Sequence, residues 1–247
     1  MKEFLILVAV AMEVEGQWLL NKMENLEEVS IGGYKFYKGK IYNRDIVMSF
    51  TKVGVINAAA ALGIAINKFN PSVVINMGIV GATDLNMHIK DIVIGESCIN
   101  INSYWTAKAK KGEGSNLANW ELVNFLSGEE DRLVEQKGDS TLIELTKKID
   151  FDGNVYYGKI GSGDIWNNEY DRIMFLNDKY HILCEDMEAI SIYTVANQAE
   201  VPVISIKMIS DNSLTGEEYD REVGKYLDRY ILKYLKLLME YKNKLIN

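Results

Sequence analysis

Phe4-Leu5-Ile6-Leu7-Val8-Ala9-Val10-Ala11-Met12-Glu13-Val14-Glu15-Gly16 is the stretch from which the rest of the chain can be read. The run Phe4–Met12 is apolar without a break, which suits a strand covered on both faces of a sheet. Standing behind Lys2, it superficially resembles a secretory signal. The run is short, however, and Glu13 and Glu15 follow at once with no small-residue cleavage pattern. No segment approaches the ~20 apolar residues that a bilayer span requires. A buried first strand in a cytoplasmic protein is the expectation.

Further runs of the same kind follow at intervals: Asp45–Phe50, Val73–Met77, Asp91–Ile99, Val155–Ile160 and Val203–Ile209. Tyr34–Ile41 alternates more and predicts an outer hairpin strand, turned at Asn43–Arg44. Helical periods fall between the runs, over Asn57–Asn67, Asn168–Asn177 and Asp186–Ala199, the last stopped by Val201-Pro202. The final helix is the clearest. Val223, Tyr226, Leu227, Tyr230, Ile231, Tyr234, Leu235, Leu238 and Met239 make one apolar stripe. It could serve the core or a subunit interface. Alternating strands and helices predict an α/β fold, three-layer α/β/α, with a central mixed, mostly parallel twisted sheet. Residues 106–140 resist assignment, and Trp120–Leu126 fits a short strand or a helix.

Composition narrows the function. The 247 residues hold only 2 prolines and no linker-like stretch, so a single domain over 1–247 is expected. A net charge of −8 argues against a surface that tracks nucleic-acid phosphates, but not against a small nucleoside. Cys98 and Cys184 sit in apolar runs and read as buried free thiols. Neither has metal-ligand spacing, and the two histidines lie far apart, so neither metal nor cofactor is expected.

Three acidic motifs lie just past strand ends, where ligands bind in open α/β sheets. Ala11-Met12-Glu13-Val14-Glu15 follows the first run. Glu185-Asp186-Met187-Glu188-Ala189 follows the short run Ile182–Cys184. Ile209-Ser210-Asp211-Asn212 closes the last run. Acids there can cap helices or complement their dipoles. Three acids within four residues beside an apolar strand are nevertheless costly to bury without partners.

Taken together these motifs resemble the methylthioadenosine/S-adenosylhomocysteine nucleosidases, within the nucleoside phosphorylase superfamily. The resemblance rests on Ala11-Met12-Glu13-x-Glu15, on Gly54 with the Ala-rich segment Ala58–Ala61, and on Asn76-Met77-Gly78-Ile79-Val80-Gly81. It rests further on Ser162-Gly163-Asp164-Ile165-Trp166, Met187-Glu188-Ala189 and Ile209-Ser210-Asp211. It covers nearly the whole chain outside about residues 100–150. It implies a nucleoside phosphorylase-like fold, a homodimer, and hydrolysis of the N-glycosidic bond of a 5′-modified adenosine.

The resemblance also implies roles. Breaking that bond builds positive charge on ribose and negative charge on the purine. Protonated Asp211 would donate to purine N7 with help from the Ser210 hydroxyl. Ionised Glu15 would orient and deprotonate the attacking water. Glu188 would accept from a ribose hydroxyl, with Met187 packed beside it. Trp166 would stack on the adenine, and backbone groups near Ile165 and Asn167 would read its edge. Met12, Val53 and Gly78 would complete the sugar and 5′ surroundings. A phosphorylase or a catalytically silent nucleoside-binding homologue are the alternatives. Against phosphorolysis, Ile79 stands where the phosphorylases carry a phosphate-binding Ser. The stretch Glu96-Ser97-Cys98-Ile99-Asn100-Ile101-Asn102 departs from the nucleosidase pattern, which leaves the 5′ substituent open.

Overall fold

The computed structural model describes residues 4–114, 120–123 and 135–241. Its elements in chain order are β1 (Ile6–Val10), α1 (Glu13–Leu20), β2 (Glu24–Ile31), β3 (Tyr34–Ile41), β4 (Arg44–Phe50), α2 (Val55–Phe69), β5 (Val73–Ala82) and β6 (Ile92–Asn100). There follow β7 (Tyr104–Thr106), β8 (Trp120–Leu122), β9 (Gln136–Lys137), α3 (Ser140–Thr146), β10 (Val155–Ser162), α4 (Tyr170–Tyr180), β11 (Ile182–Asp186), α5 (Ala189–Gln198), β12 (Val203–Asp211) and α6 (Gly224–Tyr241).

The opening apolar run forms β1, buried at every residue and paired in parallel with β4 on one side and β5 on the other. Full burial explains the absence of alternation in its sequence. The main sheet runs β11-β10-β6-β12-β5-β1-β4-β3-β2. Parallel pairing holds through β4-β1-β5-β12 and through β6-β10-β11, whereas β12 meets β6 and β11 meets β5 antiparallel, and β2, β3 and β4 form a meander. The sheet does not stay open. Glu185 and Cys184 of β11 pair back onto Gly81 and Ala82 of β5, so β5, β12, β6, β10 and β11 close into a ring.

Apolar side chains pack on both faces of the sheet. Helices α1, α3 and α6 cover one face, over Val8, Ile75, Ile94 and Ile206. Helices α2 and α5 cover the other, over Leu7, Val74, Val93 and Val203. This is the expected three-layer arrangement. The α6 stripe belongs to the chain's own core, since Val223, Leu227, Tyr230, Ile231, Tyr234, Leu235 and Leu238 are wholly buried in it. Tyr226 and Met239 are partly buried at its margin.

Several boundaries differ from the sequence reading. The β3–β4 turn is Tyr42–Asn43, both left-handed at φ 51° and 58°, one residue earlier than expected. That conformation matches the tight two-residue hairpin. Strand β2 has no apolar pattern because it is an edge strand open to solvent, held by Lys35–Glu28 and Lys38–Glu27 ion pairs across to β3. Helix α5 starts at Ala189 rather than Asp186, and Asp186 closes β11. Within the unassigned region, Trp120–Leu122 is strand β8, paired with β7, and Ser140–Thr146 is helix α3. Residues 124–126 of the Trp120–Leu126 segment lie outside the described residues. Cys98 and Cys184 are free thiols, both buried.

Candidate active site

Where β1 gives way to α1, Glu15 occupies the third helical position. Its Oε2 accepts the Met12 N–H at 2.8 Å, the reciprocal half of a capping box. Its Oε1 accepts the Ile79 N–H at 2.9 Å, from the end of β5. One buried carboxylate therefore ties the helix start to the neighbouring strand end. Gly78 lies beneath it. A Cβ there would stand 2.7 Å from Glu15 Oε1 and 3.3 Å from Lys207 Nζ, so only glycine leaves room for both. Gly78 is thus not part of the cleft wall, where the sequence reading put it, but the floor on which Glu15 rests.

Glu188 forms the N-cap of α5. Its Oε1 accepts the Gly54 N–H at 2.8 Å, across 134 residues of chain. Gly54 has φ +100°, a region that L side chains rarely enter, and a Cβ there would meet Asp164 Oδ1 at 2.8 Å. Asp164 itself accepts the Val55 N–H at 2.8 Å, which joins the loop after β10 to the start of α2.

Beneath both glutamates lies a buried ion pair. Lys207 Nζ is 2.8 Å from Asp186 Oδ2, and each side chain is only 2% exposed. Asp186 Oδ1 also accepts the Glu188 and Ala189 N–H groups, at 3.3 Å and 3.1 Å, fixing the start of α5. Lys207 donates further to Asn76 Oδ1 at 3.4 Å. The sequence reading missed this pair. A single Lys inside the apolar run Val203–Ile209 was the available signal, because an unpartnered ammonium is rarely buried.

At the end of β12, Ser210 Oγ donates to Asp211 Oδ1 at 2.6 Å, with the Val80 carbonyl as an alternative acceptor at 3.1 Å. The loop after β10 supplies Ile165, Trp166 and Asn167. Trp166 is 61% exposed at the mouth and meets Tyr219 edge-on, with ring centroids 5.4 Å apart. Asn167 Nδ2 donates to Glu185 Oε1 at 3.0 Å.

These groups line one cleft, open to solvent at the Trp166 side. Of the expected residues, Met12, Glu15, Val53, Ile165, Trp166, Asn167, Met187, Glu188, Ser210 and Asp211 all face it. Glu185, Asp186 and Tyr219 line it too, and sequence reasoning did not single them out as site residues. No Lys or Arg lines it among the described residues. Nor do the described residues contain a group of three or more His, Cys, Asp or Glu arranged to hold a metal.

The family profile of the Phosphorylase superfamily matches residues 5–241. The chain belongs to that superfamily. Among its relatives, the 5′-methylthioadenosine/S-adenosylhomocysteine nucleosidase of Staphylococcus carnosus (strain TM300) is 30% identical over 92% of this chain and 97% of the relative. The nucleosidase of the same name from Oceanobacillus iheyensis is 25% identical over 92% and 96%. A Colwellia psychrerythraea 34H nucleosidase, solved with adenine, shares the fold with a TM-score of 0.80 at 20% identity, covering 96% of each chain. A Helicobacter pylori futalosine hydrolase mutant shares it at 0.78 and 20%, over 96% of this chain and 99% of that one.

Electrostatics in this superfamily member set its carboxyls apart. Burial raises Glu15 above the ordinary carboxylate range, while Lys207 and the two backbone N–H groups pull it back. Burial, then the charges of Asp186 and Glu15, push Glu188 up to about 8, against Lys207 and the Gly54 N–H. Burial alone would lower Lys207, but Asp186, Glu188 and Glu15 around it hold it above its usual value. Burial also raises Asp211, opposed by the Ser210 hydroxyl. Three carboxyls surround one buried ammonium, and Glu15 and Glu188 both bind a proton more readily than an ordinary carboxyl.

Proposed function

We propose that this chain hydrolyses the N-glycosidic bond of a 5′-modified adenosine such as methylthioadenosine, S-adenosylhomocysteine or 5′-deoxyadenosine, releasing adenine and the ribose moiety. The convergence of Glu15, Glu188 and Asp211, from three distant segments, on a single cleft carries this reading. Asp211, kept protonated more readily by burial, delivers a proton to purine N7 as negative charge builds there. Glu15 is fixed at both oxygens and raised in basicity, which suits it to take a proton from the attacking water. Glu188, anchored through Oε1, offers its other oxygen to a ribose hydroxyl. Trp166 covers the base, with the backbone near Ile165 and Asn167 at its edge. Met12, Val53 and Met187 surround the sugar and its 5′ group.

Water rather than phosphate is the nucleophile on this reading. A phosphate dianion needs cations or N–H and O–H donors. The cleft has no Lys or Arg among its described lining residues, its Ser210 hydroxyl and Asn167 amide are already committed to Asp211 and Glu185, and the Glu15 carboxylate would repel a dianion. The names of the relatives support the same substrate class. The proposal extends to a homodimer in the cytoplasm. It is supported by apolar side chains left open on one chain, Ile56 at 78% and Trp105 at 54% exposure. Among the described residues no helix is long and apolar enough to cross a membrane.

Incubation with methylthioadenosine in phosphate-free buffer should release adenine. No release from folded protein would overturn the proposal, and turnover that requires phosphate and yields ribose-1-phosphate would replace it with a phosphorylase. Sedimentation of the purified chain checks the dimer.

A further inference from the structure

Glu185 is a carboxyl in the cleft that the proposed mechanism does not use. In the sheet it is the register partner of Gly81 on one side of β5, and Asp211 is the register partner of the same Gly81 on the other. Two strand spacings put the two backbones about 10 Å apart. All three residues line the cleft. A purine that presents N7 to Asp211 and lies across Gly81 would turn its six-membered ring towards Glu185. Asn167 Nδ2, from the loop that covers the base, already occupies Glu185 Oε1. Among the described residues Oε2 accepts no hydrogen bond.

We propose that Glu185 reads the N1 edge of the base, so that its protonation state selects between 6-aminopurine and 6-oxopurine nucleosides. The proposal rests on the nucleosidase reading and deepens it. As a neutral acid, Glu185 donates its O–H to the unprotonated N1 of a 6-aminopurine. As a carboxylate, it accepts the N1–H of a 6-oxopurine and faces a lone pair on a 6-aminopurine. A buried group left facing the wrong partner discriminates strongly.

Both forms are within reach near neutral pH. Burial pushes Glu185 up to about 7, with Asn167 and Arg172 pulling it down and Asp211 adding to the rise. The other titratable groups facing it are Tyr104, beyond Arg172, and Cys184, its chain neighbour, both raised by burial and therefore neutral. Tyr219, across the cleft, is likewise raised by burial.

The test compares 5′-methylthioadenosine with 5′-methylthioinosine, which differ only at the purine 6-position and N1. The ratio of their kcat/KM values is measured from pH 6 to pH 8. Titrations of Glu15, Glu188 and Asp211 act on both substrates and cancel in the ratio. Each pH unit changes the acid-to-anion ratio tenfold, so the preference should swing towards the 6-oxo substrate by tenfold or more, with ~100-fold as the limit. In Glu185→Gln the Asn167 contact keeps the amide oxygen at Oε1 and turns the NH2 to the base. That variant should favour the 6-amino substrate at every pH. Glu185→Val should lose both the swing and most of the discrimination.

A ratio that stays flat with pH in the unaltered protein, or a swing that persists in Glu185→Gln, would overturn the assignment. Calorimetric titration with free adenine and hypoxanthine reads the same contact without turnover. A chain that binds the two bases with this pH crossover yet cleaves neither nucleoside would sink the nucleosidase reading and leave Glu185 standing. Cleavage with a flat ratio would do the opposite. If neither base binds and neither nucleoside is cleaved, both fall.

Discussion

At Glu15 a single carboxylate both caps a helix and lines the cleft. Its neighbour Glu13, two residues earlier in the same first turn, is exposed and outside the cleft. Sequence alone left the choice between them to a resemblance, and the geometry gives it a physical basis. Glu13→Gln should therefore change kcat/KM by less than about fivefold, since exposed charges near a helix start contribute only ~0.3–1 kcal/mol. Asp211→Asn keeps the shape and the Ser210 contact but removes the transferable proton. It should lower kcat by roughly 10²–10⁴-fold with the circular dichroism spectrum unchanged. Retention of a tenth of the activity would remove Asp211 from its role. Lys207→Met acts differently. It strands Asp186 in the interior without its counter-ion, a loss on the order of 3–5 kcal/mol. Urea unfolding should show that loss, and the pH at which activity falls on the acid side should move upward as Glu15 loses the cation that favours its ionised form.

Elements matter here because each functional side chain stands at an end of one: Glu15 after β1, Gly54 after β4, Ile79 to Gly81 at the end of β5, Trp166 after β10, Glu188 after β11 and Asp211 closing β12. The buried strands were legible because full burial removes polar residues from them, and α6 because its stripe is covered by the core. Strand β2 was not, because an exposed edge strand has no apolar face to mark it. The end of β11 misled for another reason. Acids at 185, 186 and 188 look like a helix start, and only the pairing of Glu185 with Gly81 and Gly161 makes the first two part of a strand. Lys207 was visible in principle, as one charge inside an apolar run. Its partner, 21 residues away, was not. The approach of β5 to α1 can be tested through Gly78→Ala. The added methyl must displace Glu15 or Lys207. A shift of about 1 Å at a catalytic group costs on the order of 10²-fold, so kcat should fall by that amount. The same substitution at Gly63, where a Cβ meets nothing within 4 Å, should be silent.

Across the whole molecule, the buried carboxyls that line the cleft also make the fold sensitive to alkali. Glu188 titrates near 4.5 in an unfolded chain and near 8 in the folded one. Between those values the native state holds a proton that the unfolded state has released. Stability then declines as pH rises, because it increases with pH only where the unfolded state binds more protons. The contribution of neutral Glu188 is whole below about pH 4.5 and is gone once the pH passes its folded value near 8. Glu185 adds a second loss that ends near 7. Glutamine at 188 keeps the shape and the acceptor for the Gly54 N–H but cannot ionise. Glu188→Gln should therefore have the same melting temperature as the unaltered protein at pH 4.5 and melt higher by about 3 °C or more at pH 9, where roughly 1 kcal/mol corresponds to 2–4 °C for a chain of this size. It should do so while losing most of its activity. Thermal melts across that pH range check it. Equal melting temperatures at both ends would mean that Glu188 is already ionised and solvated in the resting cleft.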